Sequence, residues 1–141
     1  IWVTDVVGNS GKTQLTKWLV VHMNAIVLTG AAADMKYGIV EFMEKKNLPP
    51  KIVILDLPRG YNMNLVSYPG IEKVKDGMFF STKYKSGMVV FNSPHVIIFS
   101  NCDPDIPKFT EDKWIHYRLV LGELILEDIG HNPAHDLSPG D

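Results

Sequence analysis

The segment Ile1-Trp2-Val3-Thr4-Asp5-Val6-Val7-Gly8-Asn9-Ser10-Gly11-Lys12-Thr13 decides how the rest of the chain is read. An apolar strand-like start leads into a loop punctuated by Gly8 and Gly11. After it, Leu15, Trp18, Leu19 and His22 recur at helical spacing, so an amphipathic helix starts near Lys12 or Thr13. Strand, glycine loop, Lys-Thr and helix are the parts of a phosphate-binding loop. Glycines turn backbone amides toward an anion, the helix N-terminus adds its dipole, lysine reaches the β- and γ-phosphates, and the hydroxyl takes Mg2+. The pattern G-x-x-x-x-G-K-[ST] is not met in full, because Val6 stands where its first glycine belongs. Asp5 is a second departure: a carboxylate facing phosphates repels them, so it is expected to turn away and cap the loop. The plainer alternative is a glycine-rich turn before a helix.

Working outward, Ala25-Ile26-Val27-Leu28 predicts a second strand, and Tyr37 to Lys46 a second helix that Asn47 and Pro49-Pro50 end. Ile52-Val53-Ile54-Leu55 is uninterrupted and β-branched, the pattern of a central parallel strand covered on both faces, with Asp56-Leu57-Pro58 closing it. Met78 to Tyr84 and Met88 to Phe91, separated by Lys85-Ser86-Gly87, predict a hairpin. Pro94 opens the strand His95 to Phe99, which Ser100-Asn101 ends. Ile115 to Leu126 reads as a strand pair around Gly122, and residues 127–141 as a flexible C-terminal tail. Alternating strands and helices place the chain in the α/β class, where ligands sit beyond the carboxyl ends of the strands. By that rule the 8–13 loop, Asp56 and Asn101 converge on one edge. Asp56 suits Mg2+, directly or through water, and Asn101 suits a γ-phosphate or its attacking water. Each is also a common strand-ending turn residue.

A length of 141 residues suits one domain, and 45% hydrophobic residues suffice for a packed core. The longest apolar runs fall far short of the roughly 20 residues that span a bilayer, so a soluble domain with no membrane partner is expected. Cys102 is the single cysteine, which excludes an internal disulfide and fits a reducing compartment. A net charge of −2 excludes a globally basic nucleic-acid binder, so any such contact must be local. Lys83 and Lys85 around Tyr84, with Lys73 and Lys75 upstream, fit a single-strand contact; a solvated edge hairpin fits them too.

Taken in order, these motifs resemble the superfamily 3 helicase domain of replication-associated (Rep) proteins from small circular single-stranded DNA viruses and their satellites, of circovirus and nanovirus type. The resemblance rests on Trp2-Val3 before Gly8 to Thr13 as Walker A, Ala33-Asp34 with Tyr37, and Ile52 to Arg59 as Walker B. It continues through Ile71-Glu72, Lys75-Asp76-Gly77, Phe80 to Tyr84 as motif B′, Pro94 to Asn101 as motif C, Pro104, and Glu111-Asp112-Lys113-Trp114. It covers residues 1–126. It implies a P-loop, AAA+-like ATPase with a central parallel sheet and an inserted β-hairpin, working as a hexameric ring on single-stranded DNA in the host nucleus.

By motif, the resemblance assigns Gly8, Asn9, Ser10, Gly11, Lys12 and Thr13 to the nucleotide, and Thr13 and Asp56 to Mg2+. Asn101 becomes the γ-phosphate sensor, and Lys83, with Tyr84 and Lys85, a DNA-facing element that six copies would turn into a basic ring. Lys113 stands where the family commonly has arginine, which leaves Arg59 and Arg118 as the candidates for an arginine finger from a neighbouring subunit, Arg118 being favoured. The opening at Ile1, and the lack of a His-x-His motif, lead one to expect an excised domain without the family's N-terminal nuclease. The expected activity is ATP hydrolysis coupled to DNA unwinding in rolling-circle replication. The alternatives are a small P-loop phosphotransferase and a nucleotide-binding oligomerisation module without turnover.

Overall fold

A computed structural model of the chain describes residues 1–8, 11–82, 87–108, 114–120 and 123–127. Its centre is the stretch that reads as most apolar: β3 (Ile52–Leu57) lies between β2 (Ile26–Leu28) and β6 (His95–Ser100). The sheet continues through β1 (Trp2–Thr4) and β7 (His116–Val120) to β8 (Glu123–Glu127), in the order β2-β3-β6-β1-β7-β8. The first five strands of that order run parallel and β8 pairs antiparallel with β7. This is a mixed α/β fold.

Strand alternation divides the core between the two faces of the sheet. Trp2, Val53, Leu55, Leu57, Val96 and Ile98 face one side. There they meet Met35, Ile39 and Val40 of α2 (Ala32–Lys46), Ile71 and Val74 of α3 (Tyr68–Asp76), and Phe79 and Val89 of the hairpin. The hairpin is β4 (Met78–Phe80) paired antiparallel with β5 (Met88–Val90), and it forms its own two-stranded sheet. Val3, Ile52, Ile54 and Phe99 face the other side, with Leu19 of α1 (Lys12–Met23) packed against them. That cover is thin. No residue of α1 is buried, Leu15 and Trp18 are about half exposed, and an open apolar cleft of about 420 Å3 separates Leu15 from Val3, Phe99 and Tyr117.

Several expectations need correction. Asp56 does not end its strand: β3 runs on to Leu57, with Asp56 in register with Phe99 of β6, and stops where Pro58 has no N–H to give. The second helix starts at Ala32, well before Tyr37, on an extended Ala31 that offers no capping side chain. Helix α3 has no counterpart in the sequence reading, although Ser67 Oγ accepts from Gly70 N–H at its start and Gly77 closes it in the left-handed region. Glu127 belongs to β8 rather than to a tail, and its carboxylate pairs with Arg118. Residues 128–141, Gly122 and 111–113 lie outside the described residues.

Candidate functional site

The carboxyl ends of β1, β6 and β3 are neighbours, and register puts Thr4 opposite Ser100, which in turn lies opposite Leu57. The loop after β1, the turn after β6 and the end of β3 therefore share one edge of the sheet. Alternation adds direction. Asp56 falls on the face carrying Ile52 and Ile54, the face that α1 overlies, so its exposed carboxylate and the first turn of α1 lie on the same side. Lys12 and Thr13 are the first two residues of that turn.

The loop takes its shape from two glycines and one carboxylate. Gly8 (φ 84°) and Gly11 (φ 87°) both occupy the left-handed region, which L side chains rarely adopt, and Gly11 is also the N-cap of α1. A Cβ at Gly11 would meet nothing within 4 Å, so the backbone there faces open space. No acidic side chain sits in the first turn of α1, and its N-cap, Gly11, carries no side chain to cap it. Asn9 and Ser10, assigned to the same loop, lie outside the described residues.

Asp5 closes the loop from behind. Its side chain is 2% exposed, its Oδ1 accepts from Gly8 N–H at 3.0 Å, and its Oδ2 lies 3.4 Å from Lys12 Nζ. The expected loop cap is therefore present. The ion pair with Lys12 was not foreseen, although the unusual position of Asp5 marked it. Arg59, three residues beyond Asp56, reaches across and donates from Nη2 to the Val6 carbonyl at 2.8 Å.

Asn101 follows β6 directly and is half-buried. The turn it belongs to is fastened to β1: Trp2 Nε1 donates to the Cys102 carbonyl at 3.0 Å, and Cys102 N–H donates to Ser100 Oγ at 3.0 Å. Asp103 then joins a polar network. Arg118 Nη2 donates to both Asp103 oxygens at 2.8 Å, Arg118 Nε donates to Glu127 Oε1 at 3.0 Å, and buried His116 Nε2 lies 2.7 Å from Thr4 Oγ1 and 3.6 Å from Asp103 Oδ1.

Burial pushes the Asp103 carboxyl up, but hydrogen bonds from Arg118 and Thr4 and the Arg118 charge pull harder and hold it below the usual range. Burial pushes the His116 imidazole down and the Asp103 charge only partly restores it, so it stays neutral more readily than a free histidine. Arg118, expected to serve a neighbouring subunit, is thus engaged by two carboxylates of its own chain.

Lys83, Tyr84 and Lys85, expected to contact DNA, lie outside the described residues, in the segment joining β4 to β5. Lys75, read with them as a basic patch, stands over the Trp114 ring at 4.6 Å, and Trp114 Nε1 donates to Glu72 at 2.9 Å. That contact ties the Glu72 and Trp114 motifs together in space. Among the described residues no three His, Cys, Asp or Glu side chains cluster as a metal site, and no helix is long and apolar enough to cross a membrane. Thr13, in the first turn of α1, and Asp56, exposed on β3, offer a hydroxyl and a carboxylate, the oxygen donor types that suit Mg2+.

No protein-family model matches the chain. Its similarity is to individual replication proteins. It is 36% identical over 115 residues to "Para-Rep C9" of Faba bean necrotic yellows C9 alphasatellite, covering 80% of this chain and 38% of that protein. It is 33% identical over 114 residues to the "Master replication protein" of Subterranean clover stunt virus (strain F), and 32% identical over 117 residues to that of Faba bean necrotic yellows virus (isolate Syrian SV292-88). These matches cover 80% and 82% of this chain and 37% and 38% of the two proteins, respectively. The chain thus spans well under half the length of the curated relatives it matches.

Proposed function

Since the chain is Rep-like, homologous over four-fifths of its length to a segment of the replication proteins of such viruses and satellites, we propose that it is their ATP-hydrolysing helicase domain, a P-loop motor of AAA+-like type acting on DNA in the host nucleus. One observation carries this reading: β1 leads through Asp5, Gly8 and Gly11 into Lys12 and Thr13 of α1 at the edge where Asp56, near the end of β3, and Asn101, directly after the neighbouring β6, also stand. The strand order β2-β3-β6-β1-β7 supports it, because the loop-bearing β1 lies inside the sheet, directly beside β6.

In this reading the amides of the 8–13 loop and the first turn of α1 hold the phosphates of ATP, and Lys12 places its ammonium on the β- and γ-phosphoryl oxygens. Thr13 and Asp56 would hold Mg2+, which would neutralise charge on the phosphates. Asn101 orients the attacking water or the γ-phosphate. Water adds in line to the γ-phosphorus as the bond to the β,γ-bridging oxygen breaks, ADP leaves, and the water's proton passes to solvent or to phosphate.

Arg118 fastens the turn that carries Asn101 through Asp103; service to a neighbouring subunit requires release from Asp103 and Glu127. Lys83, Tyr84 and Lys85 contact single-stranded DNA, and six chains in a ring concentrate them around the strand. The test is DNA-stimulated ATPase: Lys12→Ala abolishes it, while Lys83→Ala keeps nucleotide binding and loses stimulation. Turnover unchanged in Lys12→Ala would overturn the assignment. A nucleotide-binding module without turnover is the second reading, favoured by the Asp5 carboxylate on Lys12. Tight ATP binding with no hydrolysis in assembled, DNA-bound chains would select it.

A further inference from the structure

We infer that Asp5 is the resting counter-ion of Lys12, and that polyphosphate binding at this loop is an exchange in which Lys12 leaves Asp5 for the anion. The inference rests on the nucleotide-site reading above and adds to it a residue that sets affinity. Its basis is the division of labour between the two oxygens of one carboxylate. Oδ1 accepts the Gly8 amide at 3.0 Å and so fixes the start of the loop, whereas Oδ2 faces Lys12 Nζ at 3.4 Å. The two partners are unequal. Asp5 is 2% exposed and fixed at the end of β1, where its own amide donates to Ser100 O at 2.8 Å, while Lys12 is 27% exposed on a flexible four-carbon stem. Lys12 is thus the partner that moves.

A buried carboxylate whose cation departs is a cost that an arriving triphosphate must offset, because the Asp5 charge then faces the like charge of the bound anion without Lys12 to neutralise it. Charge at Asp5 therefore weakens polyphosphate binding, and its acceptor oxygen preserves the binding shape. Asn separates the two roles, since its carbonyl oxygen still accepts from Gly8 N–H while the negative charge is gone. Ala removes both. An ammonium has three donors, so the rival arrangement has Lys12 bridging Asp5 and phosphate together. In that arrangement the Asp5 charge helps hold Lys12 in place and its removal brings no gain.

The experiment measures binding of inorganic triphosphate, without Mg2+, to the 141-residue chain and to its Asp5→Asn and Asp5→Ala variants, by titration calorimetry. The expected result is binding about tenfold tighter in Asp5→Asn than in the unaltered chain, the equivalent of about 1.4 kcal/mol, with Asp5→Ala weaker than Asp5→Asn. Equal or weaker binding by Asp5→Asn overturns the inference while leaving the nucleotide site intact. No binding by any of the three overturns both. A second measurement needs no variant: the Asp5 side-chain carboxyl, followed by carbon NMR in a pH titration, should protonate at higher pH once triphosphate is saturating, because its cation has been taken. An unmoved titration with triphosphate bound also overturns it.

Discussion

Arg118→Ala and Asp103→Asn, compared as a pair, decide what the guanidinium of Arg118 does. Arg118 is 31% exposed, Asp103 53% and Glu127 37%, so these are solvent-screened pairs, each expected to contribute at most about 1 kcal/mol. Loss of all three hydrogen bonds in Arg118→Ala should therefore cost about 1–2 kcal/mol. For a chain of this length, unfolding entropy of about 2 cal/mol/K per residue converts each kcal/mol to about 3 °C, so thermal melting should fall by about 3–6 °C. Asp103→Asn keeps the Glu127 contact and should lose about half of that.

The functional readout is ATPase rate with single-stranded DNA at a saturating chain concentration, with melting measured on the same samples. If Arg118 anchors the turn that carries Asn101, both variants lose turnover in parallel, by about tenfold or less, because Asn101 loses its position in each. A finger acting across subunits behaves differently. Asp103→Asn then removes one of the two carboxylates that hold the guanidinium and keeps or raises the rate, while Arg118→Ala loses about 10³-fold or more. That divergence would refute the anchoring role.

Three further outcomes follow from the geometry. Gly77→Ala should lower melting by about 9 °C or more: φ is 76°, and the new Cβ would stand 2.1 Å from the Phe91 carbonyl oxygen, so the junction holding β4 against α3 must shift at a cost of about 3 kcal/mol; a loss under 2 °C argues against the close approach. Acid should destabilise the fold. His116 binds its proton less readily folded than unfolded, so its contribution is complete above the ordinary histidine value of about 6.5 and is lost as pH falls below it; Asp103, held low, contributes above the ordinary aspartate range and loses its contribution at still lower pH. The melting temperature should fall between pH 7.5 and 5, with a shallower fall in His116→Gln; an equal slope in both refutes the assignment. Asp56→Asn should leave Mg2+-free triphosphate binding within about twofold and abolish the Mg2+-dependent part of ATP binding, as seen by calorimetry with and without the metal.

The sheet was legible because its strands are continuous apolar runs, and the break between β1 and α1 because Gly8 and Gly11 separate an apolar run from a helical period. What escaped the sequence reading did so for particular reasons. Helix α3 is nine residues long, and its apolar Tyr68, Ile71 and Val74 give too short a period to stand out, although Ser67, Pro69 and Gly77 mark both of its ends. Helix α2 begins in Ala31-Ala32-Ala33, which carries no capping hydroxyl or carboxylate at the boundary. Asp56 stays in β3 because the ladder to β6 continues past it, a fact about the neighbouring strand rather than about Asp56.

The partners of Arg118 lie 15 and 9 residues away in sequence, and the Trp2 indole meets a carbonyl 100 residues on, so neither contact leaves a local trace. Asp5 is the intermediate case. Its misfit to the loop pattern was visible, and its capping role followed from electrostatics, but the pairing with Lys12 depends on how the loop folds back over the end of β1.

The central claim is that this edge of the sheet hydrolyses ATP in a site completed by assembly on DNA. Its most direct test is the ATPase rate per chain as a function of chain concentration, with and without single-stranded DNA, for the unaltered protein and Lys12→Ala. The account predicts a rate per chain that climbs with concentration, climbs further with DNA, and is absent in Lys12→Ala. A rate per chain that is flat with concentration and indifferent to both DNA and Lys12 would contradict it.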